Sequence, residues 1–271
     1  MTVEKGPPGD GPVPALAATS RGASLGPTLP RAYRVLDVIV ENYRTCTLRL
    51  DGVMQSDPGQ FAMVWLPGLD EKPLSVQRDD PLSITVAAVG PFSRALQQVP
   101  PGGTVWCRGP YGNGFVPLGD DHLLVAGGYG AAPLLFLARR LAAAGMRSRV
   151  VVGAATREDL LLTEAFEAVG AEVHMTTEDG SAGTTGLVTE VVAPMLRDDP
   201  PTGTYACGPH GMLHALRGLA TARGLPIQMS WEAYMRCGVG ICGSCEHEGM
   251  LLCADGPVLD EAGQPPARGR S

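Results

Sequence analysis

Around Leu118 the hydrophobic pattern of this chain changes period, and that change restricts the possible fold more than any other feature of the sequence. Before it, short β-rich runs at 33–41, 45–50, 60–66, 74–77 and 82–89 are separated by Pro and Gly, which predicts an antiparallel barrel. After it, strand-like runs alternate with helical ones: 122–126 then 133–144, 149–153 then 159–169, 172–176 then 187–196, 205–207 then 211–223, and finally 227–230. Such alternation predicts a parallel sheet with helices on both faces. The fold class expected is a β-barrel domain at 32–118 plus an α/β parallel-sheet nucleotide-binding domain at 119–229, followed by a small cysteine-bearing segment at 230–260. Residues 1–31 are rich in Pro and Gly without periodicity and read as a disordered tail, with a second tail at 261–271.

The cysteine-bearing segment carries the sharpest chemical signal. Cys237, Cys242 and Cys245 form C-x4-C-x2-C, and Cys253 supplies a fourth thiol downstream, the plant-type [2Fe–2S] pattern. Two sulfide-bridged irons need two thiolates each, and a tight loop that delivers three of them needs small residues so that amides can turn toward sulfur. Gly238, Gly240, Gly243 and Ser244 are such residues, and Met235, Val239 and Ile241 offer apolar cover. A structural zinc site or disulfides are the alternative readings; zinc favours paired short knuckles, and disulfides need an oxidising compartment. The remaining cysteines, Cys46, Cys107 and Cys207, are scattered as reduced cytoplasmic thiols would be.

Other function classes are narrowed by composition. No run of about 18 apolar residues occurs, and no charged region followed by an apolar stretch opens the chain, so neither a membrane span nor a secretory signal is expected. A net charge of −7 argues against a nucleic-acid partner.

In the α/β half, Gly127-Gly128-Tyr129-Gly130-Ala131-Ala132-Pro133 lies directly between a buried strand and a helix. Glycine there lets backbone approach a pyrophosphate, the helix N-terminus attracts its charge, and Pro133 suits a first helical turn. The plain alternative is a loop that only turns a corner. Asp179 and Ser181 begin a polar turn at the carboxyl end of the third strand, within reach of a ribose, and Gly208-Pro209 follow Cys207 at another such end. Cys207 and Glu232 are the candidate catalytic residues; a packed thiol and a surface carboxylate are their bland readings. In the β half, Lys72-Pro73-Leu74-Ser75 offers a cation and a hydroxyl on a strand, with Lys72 and Leu74 expected on one face and Ser75 on the other. Gly90-Pro91-Phe92-Ser93 reads as a turn entering a helix, and the loop containing Gly112 and Gly114 falls where the halves join.

Taken in order, these motifs resemble the electron-transfer subunits of NAD-linked dihydroorotate dehydrogenases, a branch of the ferredoxin–NADP reductase superfamily. The similarity runs over about residues 32–260 and is strongest from Gly109 to Pro257; Lys72 stands where the family has arginine, and the interval from Cys245 to Cys253 is shorter than usual. The resemblance implies FAD held by Lys72, Pro73, Leu74, Ser75, Val86, Ala87, Ala88, Gly90, Phe92 and Ser93 with Gly112 and Gly114 at the joint. It implies NAD at Gly127, Gly128, Gly130, Pro133, Asp179, Ser181, Gly208 and Pro209, and a [2Fe–2S] cluster on the four cysteines. It further implies a separate FMN-bearing catalytic subunit that oxidises dihydroorotate to orotate, assembled as a heterotetramer. Arg157 offers one cation to a 2′-phosphate but Glu158 and Asp159 follow it, which leaves NAD and NADP both open, and it is the resemblance that implies NAD. Two other readings stay open: the same module serving another acceptor, and a non-catalytic metal-bearing scaffold.

Overall fold

A computed structural model of the chain describes residues 29–267. The expected N-terminal tail lies almost wholly outside them. Six antiparallel strands close a barrel: β1 (Arg31–Asn42), β2 (Thr45–Leu50), β3 (Phe61–Leu66), β4 (Asp70–Asp79), β5 (Leu82–Ala87) and β6 (Thr104–Tyr111), in the order β1-β2-β5-β4-β3-β6. Helix α1 (Pro91–Gln97) caps it between β5 and β6. Inward residues of successive strands, among them Val35, Leu48, Val64, Val76, Ile84, Val86 and Val105, fill the barrel. Strand β6 escaped the pattern reading. It alternates buried and accessible residues as a barrel strand should, but Gly109-Pro110 near its end read as punctuation.

The second half is a seven-stranded sheet built from β7 (Asp121–Gly127), α2 (Ala131–Ala143), β8 (Arg147–Ala154), α3 (Thr163–Ala168), β9 (Glu172–Thr177), β10 (Thr184–Thr185), α4 (Val188–Asp198), β11 (Gly203–Cys207), α5 (His210–Thr221) and β12 (Ile227–Ser230). A hairpin, β13 (Glu246–His247) and β14 (Met250–Leu251), follows the cysteine loop, and β15 (Val258–Asp260) then completes the sheet. Strand order is β10-β9-β8-β7-β11-β12-β15, parallel from β10 to β12. β15 pairs antiparallel with β12, so the chain returns to the sheet after the cysteine loop instead of ending in a free appendage. The order reverses direction between β7 and β11, and open α/β sheets bind ligands at the carboxyl ends beside such a reversal.

One helix is shorter than its periodicity predicts. Over 159–169 the chain makes only a 3₁₀ turn (Arg157–Asp159) and α3, because Leu162 at φ 61° breaks the helix while Leu161 and Leu162 are buried in the core. Asp159 is also held from the barrel, accepting from the Tyr43 hydroxyl at 2.9 Å and pairing with Arg44 at 2.8 Å.

Tyr205 fastens the switch-point strands from beneath. Its hydroxyl accepts the Leu118 N–H at 2.7 Å, lies 3.2 Å from His122 Nδ1, and is fully buried. Burial holds His122 below its ordinary value, so its ring is neutral near pH 7 and Nδ1 accepts from the phenol. Tyr205→Phe strands a buried amide and should cost about 1–3 kcal/mol, read as a lowered urea midpoint at an unchanged slope.

Candidate functional site

A cavity of ≈ 570 Å³ opens where the barrel meets the carboxyl edge of the sheet. Its barrel wall holds Lys72, Pro73, Leu74 and Ser75 from β4, Thr85 and Ala87 from β5, and Gly90 through Ser93 from the start of α1. Its sheet wall holds Tyr129, Cys207, Ser230, Trp231 and Glu232, with Tyr234 and Met235 from the chain leading into the cysteine loop. Two segments far apart in sequence, flagged for different reasons, thus face one space.

Strand alternation predicted that Ser75 would turn away from Lys72, yet both line the cavity. The β4–β5 ladder begins only at Val76, so from Asp70 to Ser75 strand β4 is paired on β3 alone and its other edge borders the cavity. Val86 is corrected: it points into the barrel core, while Thr85 and Ala87 on either side reach the cavity, as alternation on β5 requires. Ala88 does not line the cavity; its N–H donates to the Arg44 carbonyl. Ser93 reaches back, its hydroxyl accepting the Val89 and Gly90 amides at 3.0 Å each, which fixes the turn entering α1. Lys72 is held by Asp70 at 2.6 Å and lies 5.3 Å from the Tyr234 ring centroid.

Gly112 and Gly114 sit outside the cavity and allow protein to approach protein. A Cβ on Gly112 would overlap the Gly256 carbonyl, and one on Gly114 would lie 2.7 Å from Asp57 Cβ and from the Pro58 carbonyl. Among the sheet-edge glycines, Gly130 faces the Cys207 carbonyl, and Gly208 packs on Gly127 and Met212, so the β7–α2 and β11–α5 loops lock together. Gly128 differs, with φ 53° and open space where a Cβ would be, a backbone cradle at the switch point. Pro133 is the third residue of α2, not its first, and is buried. Pro209 precedes the first residue of α5. Asp179 accepts from the Ser181 N–H at 2.9 Å and from its hydroxyl at 2.6 Å; Arg157 donates twice to the Ser181 carbonyl. That polar cluster lies at the carboxyl end of β9, two strands from the switch point.

Glu232 stands at the cavity's rim. Crowding by its surroundings pushes its carboxyl above the ordinary glutamate value, opposed by the Tyr129 hydroxyl, which donates at 3.2 Å. Cys207 is fully enclosed, and burial pushes its thiol up to about 12, which keeps it protonated near pH 7. Trp231, which pattern reading passed over, lines the cavity and packs in the same apolar cluster as Cys245, Cys253 and Met235. Its position immediately after a fully buried strand was the available signal.

All seven cysteines are free thiols. Of the four in the loop, the Cys242 and Cys237 side chains interact, as do those of Cys253 and Cys245, and among the described residues no three His, Cys, Asp or Glu converge on a single metal ion. Two thiol pairs fit two irons better than one zinc. Amides already point at sulfur: Val239 and Ile241 N–H toward Cys237 Sγ at 3.4 Å each, and Gly240 N–H toward Cys253 Sγ at 3.1 Å. Gly238, Gly240 and Gly243 take φ between 71° and 75°, the left-handed region that this inward turning needs. Hydrogen bonds from Ser244 and Cys237 bring Cys242 down to about 6, whereas burial pushes Cys253 up to about 12, and a cation bound there would favour its thiolate. Ile241 is corrected as apolar cover: it is 82% exposed at the loop tip, beside exposed Cys242.

A family model described as the oxidoreductase NAD-binding domain matches residues 124–218, and one for the iron-sulfur cluster binding domain of dihydroorotate dehydrogenase B matches 232–262. A probable dihydroorotate dehydrogenase B (NAD(+)) electron transfer subunit from Methanocaldococcus jannaschii is 38% identical over 232 residues, 85% of this chain and 89% of that protein. Its counterpart from Pyrococcus furiosus is 41% identical over 211 residues, 78% and 82%. The chain belongs to this family of electron transfer subunits. Among solved structures, the NADH-dependent reduced ferredoxin–NADP oxidoreductase superposes with TM-score 0.77 at 27% identity, covering 86% of this chain and 89% of that one. The cytochrome b5 reductase domain of Ulva prolifera nitrate reductase shares the fold, with TM-score 0.61 at 18% identity over 74% of this chain and 95% of its own.

Two outcomes follow from this geometry. Cys242→Ser should lose the visible absorption of a reconstituted cluster, and a full spectrum in that variant would remove Cys242 from the ligand set. Tyr129→Phe deletes the hydrogen bond that favours ionised Glu232, so the Glu232 titration should move further up, measured by carboxyl ¹³C NMR.

Proposed function

We propose that this chain is the electron-transfer subunit of an NAD-dependent dihydroorotate dehydrogenase, relaying electrons between NAD(H), FAD, a [2Fe–2S] cluster and a separate FMN-bearing catalytic subunit that interconverts dihydroorotate and orotate in pyrimidine biosynthesis. The observation that carries it is the shared cavity, which places the barrel's β4 and α1 segments, the switch-point edge of the sheet and the approach to the cysteine loop around one space. When bound there, a flavin supplies the exchange between two-electron hydride transfer and the single electrons a cluster carries.

Each residue's role follows from its position. Lys72, the open edge of β4 and the α1 turn hold the flavin's polar groups. Thr85, Ala87 and Trp231 wall its ring system. Gly128 and the α2 N-terminus receive the dinucleotide pyrophosphate, with Asp179 and Ser181 toward a ribose. Cys207 and Glu232 border the space where nicotinamide and flavin rings meet. Cys207 would exclude water there, and Glu232 would present its carboxyl to that space from the sheet wall. Cys237, Cys242, Cys245 and Cys253 hold the cluster, with Cys245 and Cys253 buried toward Trp231 and Cys242 exposed toward a partner.

Among the described residues no helix is long and apolar enough to cross a membrane, and a cytoplasmic heterotetramer of two chains of each kind is the assembly proposed. The test is anaerobic, NADH-dependent reduction of orotate by the reconstituted chain together with the same organism's dihydroorotate dehydrogenase catalytic chain, each component omitted in turn. Turnover that requires both chains is expected. NADH that bleaches flavin and cluster without orotate turnover would keep the redox module and assign it a different acceptor.

A further inference from the structure

The cysteine loop is fastened to the barrel by one side chain that the relay itself does not use. Arg108, on β6, is 11% exposed and its guanidinium meets β4, the cysteine loop and the end of its own strand. Nε and Nη2 make a forked pair with Glu71 on β4, both at 2.6 Å. Nη1 donates to the Tyr111 hydroxyl at 3.1 Å, and Nη2 donates to the Cys237 carbonyl at 2.9 Å. The loop rests directly on the barrel at this point: a Cβ on Gly238 would lie 2.9 Å from Met63 Cγ and 3.7 Å from Arg108 Nη1.

Three physical consequences combine. Holding the Cys237 carbonyl against the barrel fixes its peptide plane, so the Gly238 N–H is turned the opposite way. Glu71 immediately precedes Lys72, so the same guanidinium ties the cysteine loop to the strand that borders the cavity. The pair also puts a permanent positive charge, the nearer of two opposed charges, against the backbone of the first cysteine, in surroundings where charges are weakly screened. A cluster gains negative charge on reduction, so a nearby cation favours the reduced form and a nearby anion the oxidised one.

We infer that Arg108 is a positioning residue for the cluster, and that the Arg108–Glu71 pair sets its reduction potential through the opposed charges it holds at Cys237. The inference rests on Cys237 being a cluster ligand.

The test uses the full-length chain loaded with flavin and cluster, with cluster content read from visible absorption and the midpoint potential from an EPR-monitored redox titration. Arg108→Gln should lower the potential and Glu71→Gln should raise it, with the double variant between them. Arg108→Lys keeps the charge but lacks the fork, and should stay nearer the wild-type potential than Arg108→Gln. A loaded cluster whose potential is unmoved in both single variants, or moves the same way in both, overturns the tuning role while leaving the ligand set intact. Where Arg108→Gln retains no cluster, Glu71→Gln decides: a raised potential supports the inference and an unchanged one refutes it. A Cys237→Ser variant with a full cluster spectrum would overturn the ligand assignment and the inference together.

Discussion

Everything at this site depends on a close backbone crossing between the loop that leaves the barrel and the chain that leaves the cysteine loop. Asn113 donates its N–H to the Gly256 carbonyl and its side-chain amide to the Asp255 carbonyl, and Gly112 lets the two strands of backbone touch. From the same segment the Pro257 carbonyl accepts the Trp231 N–H at 2.8 Å, and Val258 packs against Gly59 and enters β15. One short stretch therefore joins barrel, sheet and cysteine loop. A side chain at Gly112 would push these apart, and the cavity with them, because the cavity's two walls belong to the two halves being joined.

That crossing gives the loop a defined place without a large core of its own. Its buried side, Met235, Cys245, Leu252 and Cys253, is shared with the sheet through Trp231, Leu213 and Leu216, so apolar burial holds the inner thiol pair. In the outer pair Cys237 packs at the edge of that cluster while Cys242 is exposed, and hydrogen bonds add to their hold: amides to the Cys237 sulfur, the Cys242 thiol to the Ser244 hydroxyl, and Arg108 to the Cys237 carbonyl. Burial falls from Cys245 and Cys253, packed beside the cavity-lining Trp231, to the exposed Cys242 and Ile241. An exposed cluster edge lets a partner approach, and buried ligands on the other side limit the reorganisation each transfer costs.

The features legible in the sequence were those fixed by local chemistry. The barrel-to-sheet change near Leu118, the glycine turn before α2 and the cysteine spacing each follow from a few neighbouring residues. What pattern reading missed was set by tertiary contact. Strand β6 hid behind Gly109-Pro110, and β15 is too short to announce itself, since Val258–Asp260 is a strand only because β12 offers it an edge. Ser75 lines the cavity along with Lys72 because β4 has an open edge there, which lets residues of both faces border one space. Gly112 and Gly114 resembled cofactor glycines because glycine marks any close approach; only the structure distinguishes approach to a ligand from approach to Gly256 or Asp57.

Lys72 shows how a local departure can be absorbed by the fold. Where the family resemblance implies an arginine fork, this chain presents a single ammonium, which has no planar geometry of its own. The structure supplies direction from outside: Asp70 takes one of its donors at 2.6 Å, and the Tyr234 ring lies 5.3 Å from the nitrogen. A lysine so bracketed keeps its charge at the cavity mouth with less freedom than a free surface lysine. Tyr234 also belongs to the chain leading into the cysteine loop, so the contact that steadies the cation brings that chain against the barrel. With Glu71 next to Lys72 and paired to Arg108 on β6, β4 meets the approach to the loop at Lys72 and the loop itself through Arg108. Adjacent residues of β4 thus add to the crossing at Gly112 in fixing where the cysteines sit relative to the cavity.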